Sequence, residues 1–189
     1  LPGDLVRAVD AAIVHACRAI KQRNVGPGYT NIAIMGTYVS LVAGELFDLP
    51  EFKTYGLERL ARIHQHTTDN GTFEEYNSPT YTVIALLELS RLKAHVRDAR
   101  AQPMIDALVR RAWEEIALHF HAPTRQWAGP HSRAYSSLNS PGTLALIQRA
   151  TAGLIAFGVD APDRAASVVR RRRRPGGRGI AGPAKAHPR

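Results

Sequence analysis

A histidine, an arginine and a tyrosine fall within five residues of one another in the Gly/Pro-rich stretch Trp127-Ala-Gly-Pro-His131-Ser-Arg133-Ala-Tyr135. Helix or strand packing gives little reason to gather these types on such a stretch. Upstream, Glu74-Glu75-Tyr76-Asn77-Ser-Pro79 adds two carboxylates, a phenol and an amide. Together they match the needs of elimination from a uronic acid. The carboxylate must be neutralised so that the C5 proton becomes acidic, a base must take that proton, and an acid must protonate the leaving oxygen. Asn77 with Arg133 or His131 can do the first, His131 or Tyr135 the second, and Tyr135 the third. The alternative is that His131 and Tyr135 only hydrogen-bond a long loop together.

A second chemistry competes. An inverting glycosidase needs two carboxyls roughly 6.5–9.5 Å apart. Glu74 and Glu75, being adjacent, cannot both face one point, so one of them would pair with Asp69 or with a group outside this chain. Four histidines, His64, His66, His119 and His121, form two His-x-His pairs, but positions i and i+2 diverge on a helix and no metal is assigned to them. No phosphate loop, dinucleotide fingerprint or nucleophile elbow occurs, and no cofactor is expected.

The elements that must position these residues read as helices. Apolar residues recur at helical spacing over 4–22 (Leu5, Val6, Val9, Ile13, Cys17, Ile20), and 29–47 is apolar nearly all round. An amphipathic stretch over 51–67 follows, then largely apolar 81–96, amphipathic 103–120 and apolar 143–159. No run reads as a convincing strand. Exposed and buried helices therefore alternate, with short inner-to-outer connections (48–50, 97–102) and long outer-to-inner ones. The long segments 24–31, 69–81 and 121–139 share one end. They bring Tyr29, Asn31, Glu74, Glu75, Tyr76, Tyr81 and Trp127 to the same mouth as a substrate-binding set, with Trp127, Tyr76 and Tyr135 as flat faces for sugar rings. Three inner-helix N-termini there present free N–H groups to an anion.

The chain also repeats. Pro27-Gly-Tyr29-Thr30-Asn-Ile32-Ala33 aligns with Pro79-Thr-Tyr81-Thr82-Val-Ile84-Ala85, five identities in seven, and Pro141-Gly-Thr143-Leu-Ala145 is a weaker third copy. Each opens an inner helix, a signature of stacked hairpins. In hairpin order and loop asymmetry the chain resembles the six-hairpin (α/α) toroid proteins, a group of glycoside hydrolases and polysaccharide lyases, over about residues 4–159. The resemblance implies an all-α partial toroid, about half of such a domain. It also implies an acidic oligo- or polysaccharide as partner, with Asn77, His131, Arg133 and Tyr135 in the roles that asparagine, histidine, arginine and tyrosine play in toroidal lyases. A non-catalytic helical-repeat binding module fits the same pattern. Half a toroid is expected to be inactive alone and to self-associate through uncovered apolar helix faces.

Composition bounds the rest. The 189 residues suit one domain, and no apolar run approaches the ~20 residues of a membrane span. The lone Cys17 excludes an internal disulfide. The first residues lack the layout of a secretory signal, so a cytoplasmic location is expected if the N-terminus is near-complete. The net charge of +9 is local: residues 170–189 carry eight Lys/Arg and no acid, leaving 17 basic against 16 acidic residues elsewhere. Residues 1–165 are thus read as the helical domain and 166–189 as a disordered Arg/Gly/Pro-rich tail. That tail is either an out-of-frame or truncation product or a non-specific binder of nucleic acid.

Overall fold

A computed structural model describes residues 2–136 and 138–157, and the basic tail lies outside the described residues. Six helices carry the fold: α1 (Gly3–Arg23), α2 (Thr30–Leu46), α3 (Pro50–Asn70), α4 (Tyr81–His95), α5 (Gln102–His119) and α6 (Pro141–Ala150). The all-α reading holds with one correction. Strands β1 (Phe120–His121) and β2 (Gln126–Trp127) form a two-residue antiparallel ladder, with Phe120 opposite Trp127. A pair this short leaves no period-2 pattern in a sequence.

The residues up to Thr143 form one compact unit and the described residues from Leu144 a second. In the first unit α2 and α4 pack together as inner helices, α3 packs on α2 and on α5, α5 packs on α4, and α1 lies against α2. Ten of the 17 residues of α2 are buried, Ile34 and Leu41 among them, whereas α1 buries only Cys17. Cys17, Ala43 and Phe52 form a packed cluster with Ile13, Val14 and Val39. The apolar stripe read on α1 packs only along that C-terminal half, and Leu5, Val6 and Val9 stay exposed. The ends of α2 protrude too, at Ile32 and Leu46.

The helix starts and stops follow local chemistry. Pro50 and Pro103 sit in the first turns of α3 and α5, where a missing N–H costs nothing. The helix expected over 143–159 ends early. After Ala150 the chain enters the left-handed region at Ala152 (φ 50°) and Gly153 (φ 81°), and the Gly153 and Ala152 N–H groups donate to the Gln148 and Arg149 carbonyls. This is a Schellman stop, which satisfies carbonyls that a further turn would have used. In the second unit the Phe157 N–H donates to the Gln148 side-chain oxygen at 2.8 Å.

At the short-loop end, Glu45 of α2 accepts the backbone N–H groups of Arg97 (2.9 Å) and Asp98 (2.9 Å), anchoring the α4–α5 connection. The Arg100 guanidinium and N–H, with Lys53, hold the Asp98 carboxyl far below the usual carboxylate range.

At Gly44 α2 and α3 approach closely. A Cβ there would fall 2.6 Å from the Lys53 backbone nitrogen and 2.9 Å from its Cα, so neither side chain nor rotamer can give way. Gly44→Ala is expected to push the hairpin apart and cost about 1–3 kcal/mol in urea unfolding, despite the better helix propensity of alanine. A variant as stable as the parent would show that the two helices have room to separate.

Candidate functional site

Glu75 is the hub of the long-loop end. Its backbone N–H donates to Thr30 Oγ1 (3.3 Å), and its Oε2 accepts the backbone N–H of Asn31 (3.2 Å) in the first turn of α2. Oε1 accepts from Arg133 Nη1 at 2.6 Å. The carboxylate is only 3% exposed and both oxygens are engaged. A negative charge at the positive end of a helix, met on its other side by a guanidinium, is a favourable place for a buried carboxylate.

Three tyrosines surround Arg133, whose own backbone is left-handed (φ 47°). The guanidinium carbon lies 4.9 Å from the Tyr81 ring centroid and 5.7 Å from that of Tyr29. Its Nη2 donates to the Tyr135 hydroxyl at 3.5 Å. Tyr81 and Tyr135 meet edge to face, centroids 5.6 Å apart. Tyr29 and Tyr135 are 59% and 69% exposed, so the cluster opens to solvent. The Arg133 hydrogen bond, then that from Tyr81, pulls the Tyr135 phenol below its ordinary range. Tyr81, bonded to Tyr135 and near Glu75, is pushed up. Two phenols in contact thus lean in opposite directions, one toward releasing a proton and one toward keeping it.

Asn77 fixes the loop that carries these groups. It is 2% exposed with φ 46°, and its amide nitrogen donates to the carbonyls of Ala128 (2.7 Å) and Pro130 (2.9 Å). Its own carbonyl faces His131 Nδ1 at 2.8 Å. Because a carbonyl only accepts, the His131 proton sits on Nδ1 and the neutral ring keeps its Nε2 lone pair. Ser132 N–H donates to the Tyr76 carbonyl (3.1 Å), and Ser78 Oγ reaches the Arg133 carbonyl (3.5 Å).

Several expected roles move. Asn77 has donated both amide protons inside the protein and positions His131 instead of meeting a substrate carboxylate. Trp127, expected as an open sugar platform, is 4% exposed because β2 turns it inward. Asn31 is buried, with its Oδ1 spent on the Ile32 N–H, and serves the helix start. Tyr76 is half-buried and donates to His119 Nε2 at 2.5 Å, since His119 Nδ1 gives its proton to the Glu115 carbonyl. Glu74 faces away from Glu75 and contacts His66 (3.2 Å). The helix N-termini are not free either: Glu75 meets α2, Ser78 Oγ accepts from Tyr81 N–H at α4, and Ser140 Oγ from Thr143 N–H at the start of α6. His121 bonds Thr124. Among the described residues no three His, Cys, Asp or Glu side chains are placed to share a metal ion.

One group beneath the site had no signal in the sequence. Glu115, on α5, is buried; Oε1 accepts the Phe73 N–H (3.3 Å) and Oε2 has no partner. Burial pushes its carboxyl up, against the backbone N–H groups of Phe73 and Asn77 and the charge of Arg111.

The chain belongs to the family described as a domain of unknown function (DUF8769), whose model matches residues 4–158. No curated protein and no solved structure matches the chain.

Two variants separate the two jobs of Asn77. Asn77→Gly keeps the left-handed backbone and loses the amide, which should cost about 1–3 kcal/mol through the two abandoned carbonyls. Asn77→Ala should cost about 1 kcal/mol more through backbone strain. Equal losses on thermal unfolding would refute the strain. For Glu115 the sign runs the other way. Its folded-state pKa is raised, so the native protein binds the extra proton and loses stability as pH rises above about 4.3, the unfolded value. Glu115→Gln should match the wild type near pH 4 and exceed it at pH 7 in paired denaturant titrations; a variant less stable at pH 7 than at pH 4, relative to wild type, would contradict this.

Proposed function

We propose that this chain is part of an (α/α)-toroid carbohydrate-active protein that cleaves uronate-containing polysaccharide by β-elimination at the Arg133 cluster. The observation that carries the reading is the convergence of Arg133, Tyr135, Tyr81 and Tyr29 on one solvent-open patch, held by hydrogen bonds and ring contacts, with His131 two residues before Arg133 on the same loop. The alternation of inner and outer helices, and the packing of α2 on α4, support the toroid part.

In this reading the exposed edge of Arg133 meets the uronate carboxylate and makes the C5 proton acidic, while Glu75 holds the guanidinium in place. Tyr135, its phenol already lowered, takes the C5 proton as the C4–O bond breaks and the C4–C5 double bond forms. Tyr81, its phenol raised, returns a proton to the leaving oxygen. His131, with Nε2 open, bonds a sugar hydroxyl or relays the proton. Tyr29 offers a ring face to the neighbouring sugar. The hydrolase alternative draws no support from Glu74 and Glu75, which diverge, one against His66 and one against Arg133.

The test uses protein from the full-length gene and a panel of uronate polymers, following the ultraviolet absorbance of the unsaturated product. Tyr135→Phe is expected to lower the rate by about 10²–10⁴-fold with the fold intact. The wild-type rate should climb with pH as Tyr135 loses its proton. Reducing ends without absorbance would point to hydrolysis, and polymer binding without turnover to a binding module. Either outcome ends the elimination reading.

A further inference from the structure

A cavity of about 190 Å³ lies between α1 and α2, away from the residues assigned to elimination. Its walls are apolar, from Ile20, Val25, Ile32, Met35 and Val39, and Arg59 of α3 lines it as well. Arg59 is 3% exposed, one of the most deeply buried charged side chains described. Its guanidinium donates to the Tyr55 hydroxyl (3.1 Å), the Asn24 Oδ1 (3.5 Å) and the Ala33 carbonyl (3.2 Å), and its Nε has no partner. Every one of these acceptors is neutral. Among the described residues no carboxylate is within ion-pair distance of it, whereas Arg133, more exposed, has Glu75.

A buried guanidinium without a counter-charge is a costly arrangement, because hydrogen bonds to neutral groups return only part of the lost hydration. The expense is expected where the charge serves a ligand. Gly36 lies on the same wall, and a Cβ there would come within 3.1 Å of Arg59 Nη2 and 3.2 Å of Ile20 Cγ2. The absence of a side chain at that position lets α2 pack this closely on the guanidinium. Arg23, exposed, adds a second cation at the rim. The volume equals about six waters at ~30 Å³ each, below the range of drug-sized pockets, so the occupant is small.

We infer that this cavity is a binding site for a small organic monoanion, a carboxylate on a compact apolar body, whose charge is met by Arg59 and whose body fills the space between α1 and α2. The site stands independently of the elimination chemistry, since it shares none of the residues assigned to it.

The experiment titrates the full chain with hexanoate and benzoate, and with hexanol and benzyl alcohol as neutral matches, following backbone amide signals. The carboxylates are expected to saturate, to shift the amides of Ile20, Gly36 and Val39, and to bind at least about tenfold more tightly than the alcohols. Arg59→Met removes the charge; because that variant also strips partners from Tyr55 and Ala33, Ile32→Glu provides the second probe. Ile32 is already partly exposed, so a glutamate there leaves the core alone and sets a negative charge at the cavity mouth. It should weaken hexanoate by about tenfold or more while Ile32→Gln changes it little. Alcohols binding as well as carboxylates, sulfate competing on equal terms, shifts elsewhere in the chain, or no saturation by either carboxylate would each overturn the assignment.

Discussion

The Glu75 carboxylate is the contact on which the long-loop end depends. One oxygen accepts an orphaned N–H of α2 and the other takes Arg133, so a single buried charge on one loop joins an inner helix 44 residues before it to a second loop 58 residues after it. Remove it and Arg133 loses its ionic partner, the first turn of α2 loses its acceptor, and the tyrosines lose the cation they surround. The opposite end of α2 uses the same device: Glu45 accepts the N–H groups of the α4–α5 connection. An inner helix with few polar side chains is thus fixed at each end by one carboxylate. Directional bonds hold the loops there, while non-directional apolar packing holds the helix faces.

Repetition in the sequence carried more of the site than any single motif did. Tyr29 and Tyr81 occupy equivalent places in two copies, and both rings stand against the Arg133 guanidinium. Their partners Thr30 and Thr82 are both buried, each accepting a loop N–H. A subtler echo is Asn-Ser-Pro at 77–79 and again at 139–141. In both, the asparagine amide bonds carbonyls of the 121–140 segment and the serine accepts an N–H in the first turn of the next helix. The tripeptide is legible once its work is known, because proline suits the first helical turn and serine the position before it.

Helix order, the inner and outer alternation and the gathering of the three loops were readable because they rest on periodicity and on turn residues. The readings that failed concern which way a side chain faces within a loop, where no period exists. Trp127 was expected outward by residue type, yet a two-residue ladder turned it in. Asn77 was expected to meet ligand, yet a left-handed backbone spends its amide on the loop. Glu115 and Arg59 sit on the amphipathic helices α5 and α3 among other charges, and nothing in the spacing separates a buried charge from a solvated one on a neighbouring face. The stop of α6 hinged on Thr151-Ala-Gly153, an ordinary string until its carbonyls need partners.

Arg59 and Arg133 show how the same cation is treated for different ends. Arg133 is exposed along one edge, is neutralised by Glu75 and is stacked among rings, an arrangement that keeps a guanidinium rigid while leaving part of its donor fork open. Arg59 is sunk in the hairpin, has only neutral acceptors and lines a cavity that Gly36 also borders. If structure alone had shaped position 59, a leucine or methionine would fill the same space without the hydration cost, since buried ions are commonly replaceable by apolar residues at no loss. A charge kept there against that cost must either specify the pairing of α3 with the turn after α1, through Tyr55 and Asn24, or wait for an anion. The orphaned Nε bears on the second role. A guanidinium that fixes the pairing spends its two terminal nitrogens on Tyr55, Asn24 and Ala33, and one that receives a carboxylate needs a further donor, which the unbonded Nε supplies.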